Sequence, residues 1–385
     1  MRDRARPEYD ARGIRAGGFI FYPDLTESII YDDNIYAEQD NTTSDFINVL
    51  SPQVQLRSDW NNHELNLGAR ADIGNYFSKH REDYEDMLFE GAGRVDFTRQ
   101  TNLYGTFAHA KRHEDRASPD AVAGVEPTEF DTDQILAGAS HTFNRVTVNG
   151  DAELRRFDFD DVQSSTGSFI NNDDRDRRDV IGTATVSYEI QPEFSAFVRG
   201  LYNARQYDDS FDDNGLDRES QGYQIVAGTA IDFTGVLFGN VFIGYLSQDF
   251  QDPRLSTVSG LTGGFDLTWN PTRLTTINGL VDRSVEETTI IGASGVFATR
   301  FSASVDHELF RNLLLNAAGG VTLMSYGGVD RDDTIYRFQA SAKYLFNRNL
   351  YVTLGYEFSK RNSTGTRASE DFTVNTLLLR LESQL

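Results

Sequence analysis

Three histidines, His80, His109 and His113, stand close in the chain to Asp83, Glu114 and Asp115, the one grouping of residue types that suits acid–base chemistry. An imidazole within hydrogen-bond reach of a carboxylate can take a proton from a nucleophile or a water. The other three, His63, His141 and His307, each adjoin a short turn signal, where turn packing accounts for them. No hydrolase motif surrounds any of the six. The chain has no cysteine, which excludes thiol catalysis and thiolate metal sites. Carboxylates cluster at Asp158, Asp160, Asp161, Asp173, Asp174 and Asp176, and again at Asp208, Asp209, Asp212, Asp213 and Asp217. Such clusters can bind Ca²⁺ or Mg²⁺. Neither has the Asp-x-Asp/Asn-x-Asp/Asn-Gly spacing of a calcium loop, so both read as solvated charge. No catalytic set, metal site or cofactor is expected.

A third set is dispersed. Arg70 and Asp72, then Asp151, Glu153 and Arg155, then Arg199 and Arg205 recur at even spacings within alternating apolar stretches. Asp232, Asp266, Asp282, Arg337, Lys343, Glu357 and Arg380 fall in the same way. A spacing of two places side chains on one face of a β-strand. A wall carrying both signs of charge orients polar solutes, and rings of charge select ions. Asp151, Glu153 and Arg155 beside Arg199 and Arg205 are the candidate constriction, with Tyr76 and Phe197 as candidate platforms for sugar faces. The plainer explanation of each residue is that a water-facing wall is polar because it is wet.

The elements that would position such a wall are clearest from Tyr336 to Phe358. Tyr336, Phe338, Ala340, Ala342, Tyr344 and Phe346 alternate with polar residues, Asn347-Arg348-Asn349 interrupts, and Leu350, Val352, Leu354, Tyr356 and Phe358 resume on the same face. The strands run about twelve residues, twice the length usual in a soluble sandwich and enough to cross a bilayer at a tilt. This predicts an all-β fold: a single transmembrane, antiparallel, up-and-down β-barrel with lipid outside and water inside.

Composition agrees. At 39% hydrophobic and mean hydropathy -0.47, the 385 residues contain no apolar run near the roughly 18 that a membrane helix needs. Tyr (17), Phe (27) and Gly (32) are abundant, as aromatic girdles and curved strands require. A net charge of -23 argues against nucleic acid as a partner. Residues 1–17 are polar and arginine-rich without an apolar export segment, so the chain reads as a mature form.

Along the chain, residues 1–23 are expected to be a periplasmic extension too short for a plug domain, and residues 24–385 the barrel, its first strand running from about Leu25 to Tyr36. Eight short turns follow, at 60–62, 99–101, 144–145, 191–193, 234–236, 270–272, 310–312 and 347–349. Nine longer polar segments alternate with them, near 37–45, 79–83, 114–129, 158–178, 208–219, 251–256, 288–295, 328–333 and 361–371. Nine loops and eight turns imply about eighteen strands. Parity agrees: across the two-residue turn Asn144-Arg145, outward Ile135, Ala137 and Ala139 give way to outward Val146, Val148 and Ala152. Either 114–129 or 158–178 is long enough to fold inward and narrow the pore. The chain ends on outward Leu377, Leu379, Leu381 and Leu385, like the terminal strand that barrel-assembly machinery reads.

Several segments resemble a known family. Arg6-Pro7-Glu8-Tyr9-Asp10 with Gly13-Ile14-Arg15, Tyr22-Pro23, and Tyr31-Asp32-Asp33-Asn34-Ile35-Tyr36 are similar to the opening of putative β-barrel porin 2 proteins of Gram-negative outer membranes. Leu267-Thr268-Trp269-Asn270-Pro271-Thr272 and Val305-Asp306-His307-Glu308-Leu309-Phe310-Arg311-Asn312 extend the resemblance along the chain. It implies an outer-membrane passage for secreted polysaccharide. The expected partners are outer-membrane lipid and lipopolysaccharide, the polymer, and periplasmic export components. A general diffusion porin for small hydrophilic solutes is the alternative, and an enzyme or a structural barrel would be a different class. The resemblance supplies no catalytic residues.

Overall fold

The computed structural model describes residues 4–385. The chain begins with a three-residue strand, β1 (Ile14–Ala16), followed by β2 (Phe19–Asp32), β3 (Asp45–Ser58), β4 (Glu64–Tyr76), β5 (Tyr84–Thr98), β6 (Thr101–His113), β7 (Glu129–Phe143) and β8 (Val146–Phe159). A two-strand hairpin, β9 (Val162–Gln163) and β10 (Phe169–Ile170), lies inside the next loop. Then come β11 (Arg177–Gln191), β12 (Phe194–Tyr207), β13 (Ser220–Phe233), β14 (Leu237–Phe250), β15 (Val258–Thr272) and β16 (Thr275–Glu286). The sheet ends with β17 (Val296–Phe310), β18 (Leu313–Tyr326), β19 (Asp332–Leu345), β20 (Leu350–Thr364) and β21 (Phe372–Gln384).

Eighteen long strands pair antiparallel in chain order, and β2 pairs with β21 to close the ring. Closure removes both sheet edges, so no ladder donor is left facing lipid. The register explains the alternation. Leu25 and Ile29 on β2, Leu50 and Val54 on β3, and Leu377, Leu379 and Leu381 on β21 all lie exposed on the outer face, so an apolar belt surrounds the ring. The even spacing of charge therefore faces inward.

Several boundaries differ from expectation. β20 runs to Thr364, into the segment 361–371 expected as loop, and the turns expected at 99–101, 191–193 and 310–312 each lose one residue to a strand. Two larger differences have a visible cause. The first strand begins at Phe19 and ends at Asp32, and Tyr36 belongs to the loop beyond it. Its early start is stabilised by β1, which pairs with Phe19, Ile20 and Phe21. The turn expected at 270–272 is displaced to residues 273–274. The register slips between Trp269 and Thr272, so two residues of β15, including Pro271, bulge against one of β16. A bulge leaves one residue outside the ladder, which accommodates a residue with no N–H.

At the opposite end, long loops fold back over the wall. Ala293, Val296, Ala298, Met324, Tyr326 and Ile335 form a buried apolar cluster with Ile290 and Val329 packed on it. The segment 287–295 is thus held down by its own apolar residues.

Candidate functional site

The lumen wall is built from the inward positions of the strands. On β8, Val148 and Leu154 are exposed outside, so Asp151, Glu153 and Arg155 point inward. The same parity turns Arg70 and Asp72 (β4), Arg199 and Arg205 (β12), Asp232 (β13), Asp266 (β15) and Asp282 (β16) inward. On the last strands it turns in Arg337 and Lys343 (β19), Glu357 (β20) and Arg380 (β21).

Many of these charges are already paired. Arg70 Nη2 lies 2.7 Å from Asp72, Arg155 Nε donates to Glu153 at 2.5 Å, and Lys343 Nζ lies 2.7 Å from Glu382. Arg300 reaches Asp282 at 3.4 Å, and Arg380 Nε donates to Ser28 Oγ at 3.2 Å. Asp232 accepts from the Gly235 N–H at the adjoining turn. Asp151, Asp266, Arg337 and Glu357 have no hydrogen-bond or ion-pair partner among the described residues, so their charge is available to solute.

Arg205 lines one cavity with Arg155 and Asp179 but is paired with Glu287, which also accepts from the Tyr207 hydroxyl at 2.8 Å. Glu287 begins the loop between β16 and β17, and this contact starts a bridge across the mouth. Asp120, in the loop between β6 and β7, accepts from Thr288 Oγ1 at 2.8 Å and from the Thr289 N–H at 3.2 Å. β6 and β16 are eight strands apart in the ring of eighteen, so the two loops meet from nearly opposite walls.

Buried ion pairs hold both arms. Arg218 Nε donates to Asp212 at 2.7 Å, and its Nη1 donates to the carbonyls of Thr288 and Ala293. Arg116 makes a two-point contact with Glu82, and Arg175 makes one with Glu114. A cavity of about 480 Å³ runs from Asp115 and Ala117, in the same loop as Asp120, to Arg300, Arg337, Glu357 and Thr376 of the wall. At the turn end the lumen opens into about 860 Å³ lined by Gln55, Arg57, Asn66, Glu90, Arg94 and Thr106 among others.

Elsewhere the wall carries flat aromatic rings. A Cβ on Gly138 would stand 2.5 Å from Tyr104 Cζ, so the Tyr104 ring lies directly on the backbone of that glycine. Gly228 makes similar room for Phe197 and Phe242. The Arg199 guanidinium sits 5.3 Å from the Phe242 centroid and 5.8 Å from that of Phe197. Ring faces and charge thus adjoin on the β12–β14 part of the wall, with the Tyr104 ring apart from them on β6.

A closed ring with an apolar belt and a polar lumen is the architecture of a membrane channel. The profile of the family described as putative beta-barrel porin 2 matches residues 6–385. The chain belongs to the putative β-barrel porin 2 family. It is an outer-membrane β-barrel of the porin and channel kind. No curated protein matches it. Among solved structures it is similar to a mutant of the ferric enterobactin receptor PfeA of Pseudomonas aeruginosa, at 5% identity and TM-score 0.51, covering 98% of this chain and 81% of that one. OpdL of Pseudomonas aeruginosa matches at 12% identity and TM-score 0.47, covering 96% of this chain and all of that one. At 5% identity the likeness to the receptor is one of fold.

In this porin-family barrel the histidines do not converge. His109 Nδ1 lies 2.8 Å from Asp133, His113 Nδ1 2.9 Å from Asp86, and His80 3.6 Å from Asp83. His63 bonds the backbone of Asp96, while His141 and His307 bond Thr101 and Thr275 on the neighbouring strand. Among the described residues no group of His, Asp and Glu is arranged to hold a metal ion. The acidic loops serve the backbone instead: Asp212 accepts from the N–H groups of Asn214 and Leu216, and Asp176 from that of Phe159 at 2.7 Å. Burial, with Asp158, Asp173 and Asp208 nearby, pushes the Asp176 carboxyl up to about 6.

Asp120, Glu287 and Thr288, which bridge the mouth, carry no local signal. They are single polar residues in polar loops, and only their meeting in space gives them a role.

Proposed function

We propose that the channel conducts carbohydrate, and that its cargo is a secreted polysaccharide. The turns and both termini would face the periplasm and the long loops the exterior. The observation that carries this reading is the patch on β12 to β14 where Phe197 and Phe242 lie against Gly228 with Arg199 near both rings, together with the Tyr104 ring lying on Gly138 at a separate place on β6 and β7. Pyranose rings present C–H faces that pack on aromatic planes, and their hydroxyls exchange hydrogen bonds with charged side chains. Asp151, Asp266, Arg337 and Glu357 supply charges that the wall leaves uncommitted. The mechanism is passive: successive sugars move between equivalent weak sites, and synthesis and export on the periplasmic side supply the energy. Periplasmic export components would then meet the turn end.

Lipopolysaccharide is the proposed neighbour outside. His109 with Asp133, Lys111 with Glu129, and Arg156 with Asp158 form exposed pairs on the outer face near the loop end, where lipid phosphates and their divalent cations lie.

A general diffusion porin for small hydrophilic solutes is the second reading. The bridge from Asp120 to Thr288 favours it, because it divides the mouth into passages narrower than the barrel. Single-channel conductance in a planar bilayer separates the two. A carbohydrate channel is blocked by added oligosaccharide, and Tyr104→Ala or Phe242→Ala relieves the block while leaving ionic conductance unchanged. Block by neither neutral nor acidic oligosaccharides, with steady conductance, would leave the general porin.

A further inference from the structure

We infer that residues 4–16 form a strap anchored inside the turn-end mouth, and that the buried contact of Arg6 with Glu308 is its latch. Glu308 lies near the turn end of β17 on the lumen face and is almost wholly buried. Arg4 Nη1 reaches it at 2.7 Å and Arg6 Nη2 at 3.0 Å, so two cations of the strap close on one carboxylate. Next, the Arg348 guanidinium donates to the Pro7 carbonyl at 2.5 Å, and the Tyr351 hydroxyl, on the lumen face of β20, donates to the carbonyl of Tyr9. Tyr351 is itself buried. The strap then reaches the seam, where the Gly13 N–H donates to the Leu385 carbonyl at 3.1 Å and β1 continues the line of β21 along β2.

The strap therefore covers the lumen-side arc from β17 through β21 to β2. The neighbouring arc, from β3 to β6, is where the turn-end lumen stays open at about 860 Å³. Residues 4–12, upstream of β1, are held along one wall at a few points and leave by breaking them, while the β1–β2 ladder stays paired. Glu308 is the strongest of them, since a buried carboxylate losing its cations is left uncompensated. The strap thus sets the aperture of the turn end: closed when Arg6 is seated, wider when it is released.

The inference rests on the barrel being a channel, so the test has one readout that needs conduction and one that does not. In planar bilayers, Glu308→Gln and Arg6→Ala raise single-channel conductance by roughly 1.5-fold to 2-fold, as a wider water-filled section carries more current. Because the chain has no cysteine, the double substitution R6C and E308C gives one addressable pair. Oxidation holds its conductance at or below that of the unsubstituted protein, and reduction releases it. Independently, trypsin cleaves after Arg4 slowly in the refolded parent and at least several-fold faster in Glu308→Gln. Equal conductance and equal cleavage in parent and variants would overturn the strap. Absence of current in every form, with the cleavage difference intact, would instead overturn the channel reading and leave the strap standing.

Discussion

The two ends of the barrel solve the same problem, ending a sheet in water, by opposite means. At the turn end the connections are short and the backbone itself makes the reversal. Asn144 (φ 54°), Thr234 (φ 55°) and Gly235 (φ 69°) adopt left-handed conformations, and the side chains that help come from within the turn or the adjoining strand, as Asp232 does for the Gly235 N–H. At the loop end the connections are long, and side chains from distant strands hold them: Arg218 with Asp212, Arg175 with Glu114, Arg116 with Glu82, and Asp120 with Thr288. Turn geometry is local and robust. The loop end depends on a few buried charges, each of which is costly to leave alone.

The contrast can be broken most forcefully at Arg218. Arg218→Ala strands Asp212 and two carbonyls, at a cost of about 3–5 kcal/mol. The loss is expected in the loops alone: faster protease nicking within 208–219 and 287–295, with the folded-barrel band in unheated electrophoresis unchanged. Loss of that band would mean that the loop end supports the barrel itself. Asp120→Ala removes the acceptor shared by Thr288 and Thr289, a loss of about 1–3 kcal/mol. It should open the mouth and raise conductance with added noise, and an unchanged trace would place the narrowest point elsewhere.

At the turn end, Asn144→Val forces a β-branched side chain into a left-handed conformation, at about 1–2 kcal/mol. The denaturant midpoint should fall while conductance stays the same, and Asn144→Gly should leave both nearly unaltered. The smallest effect concerns pH. Asp176 has its folded value raised to about 6 from an ordinary 3.8, so the folded loop holds its proton more tightly than the unfolded one. Its contribution favours the folded loop at low pH and fades as pH rises from about 4 to 6, with no further change above. Protease protection of 160–176 should be greater at pH 4.5 than at pH 7.5, and Asp176→Asn should flatten that difference.

Much of this organisation is legible in the chain because a barrel wall repeats. Outward Leu377, Leu379 and Leu381, and inward Asp151, Glu153 and Arg155, are set by a period of two that any strand imposes. Turn length then fixes the parity of the next strand, so the lumen face could be read residue by residue. Where local chemistry departed from the repeat the reading slipped. Asn270-Pro271-Thr272 looks like a turn but is a bulge, and Phe19 to Pro23 looks like linker but is paired by β1 and β3.

The sites of contact between distant segments are a different matter. Arg205 reads as a lumen charge until Glu287 is seen to claim it, and Arg6 reads as part of a loose leader until Glu308 is beside it. A strand's alternation follows from backbone geometry acting on neighbours, so sequence alone settles the barrel, its strand number and its two faces. Which charge meets which across the lumen depends on ring closure bringing together residues up to about three hundred positions apart. No local pattern encodes such a pairing, and the bridge over one mouth and the strap in the other exist only once the ring is closed.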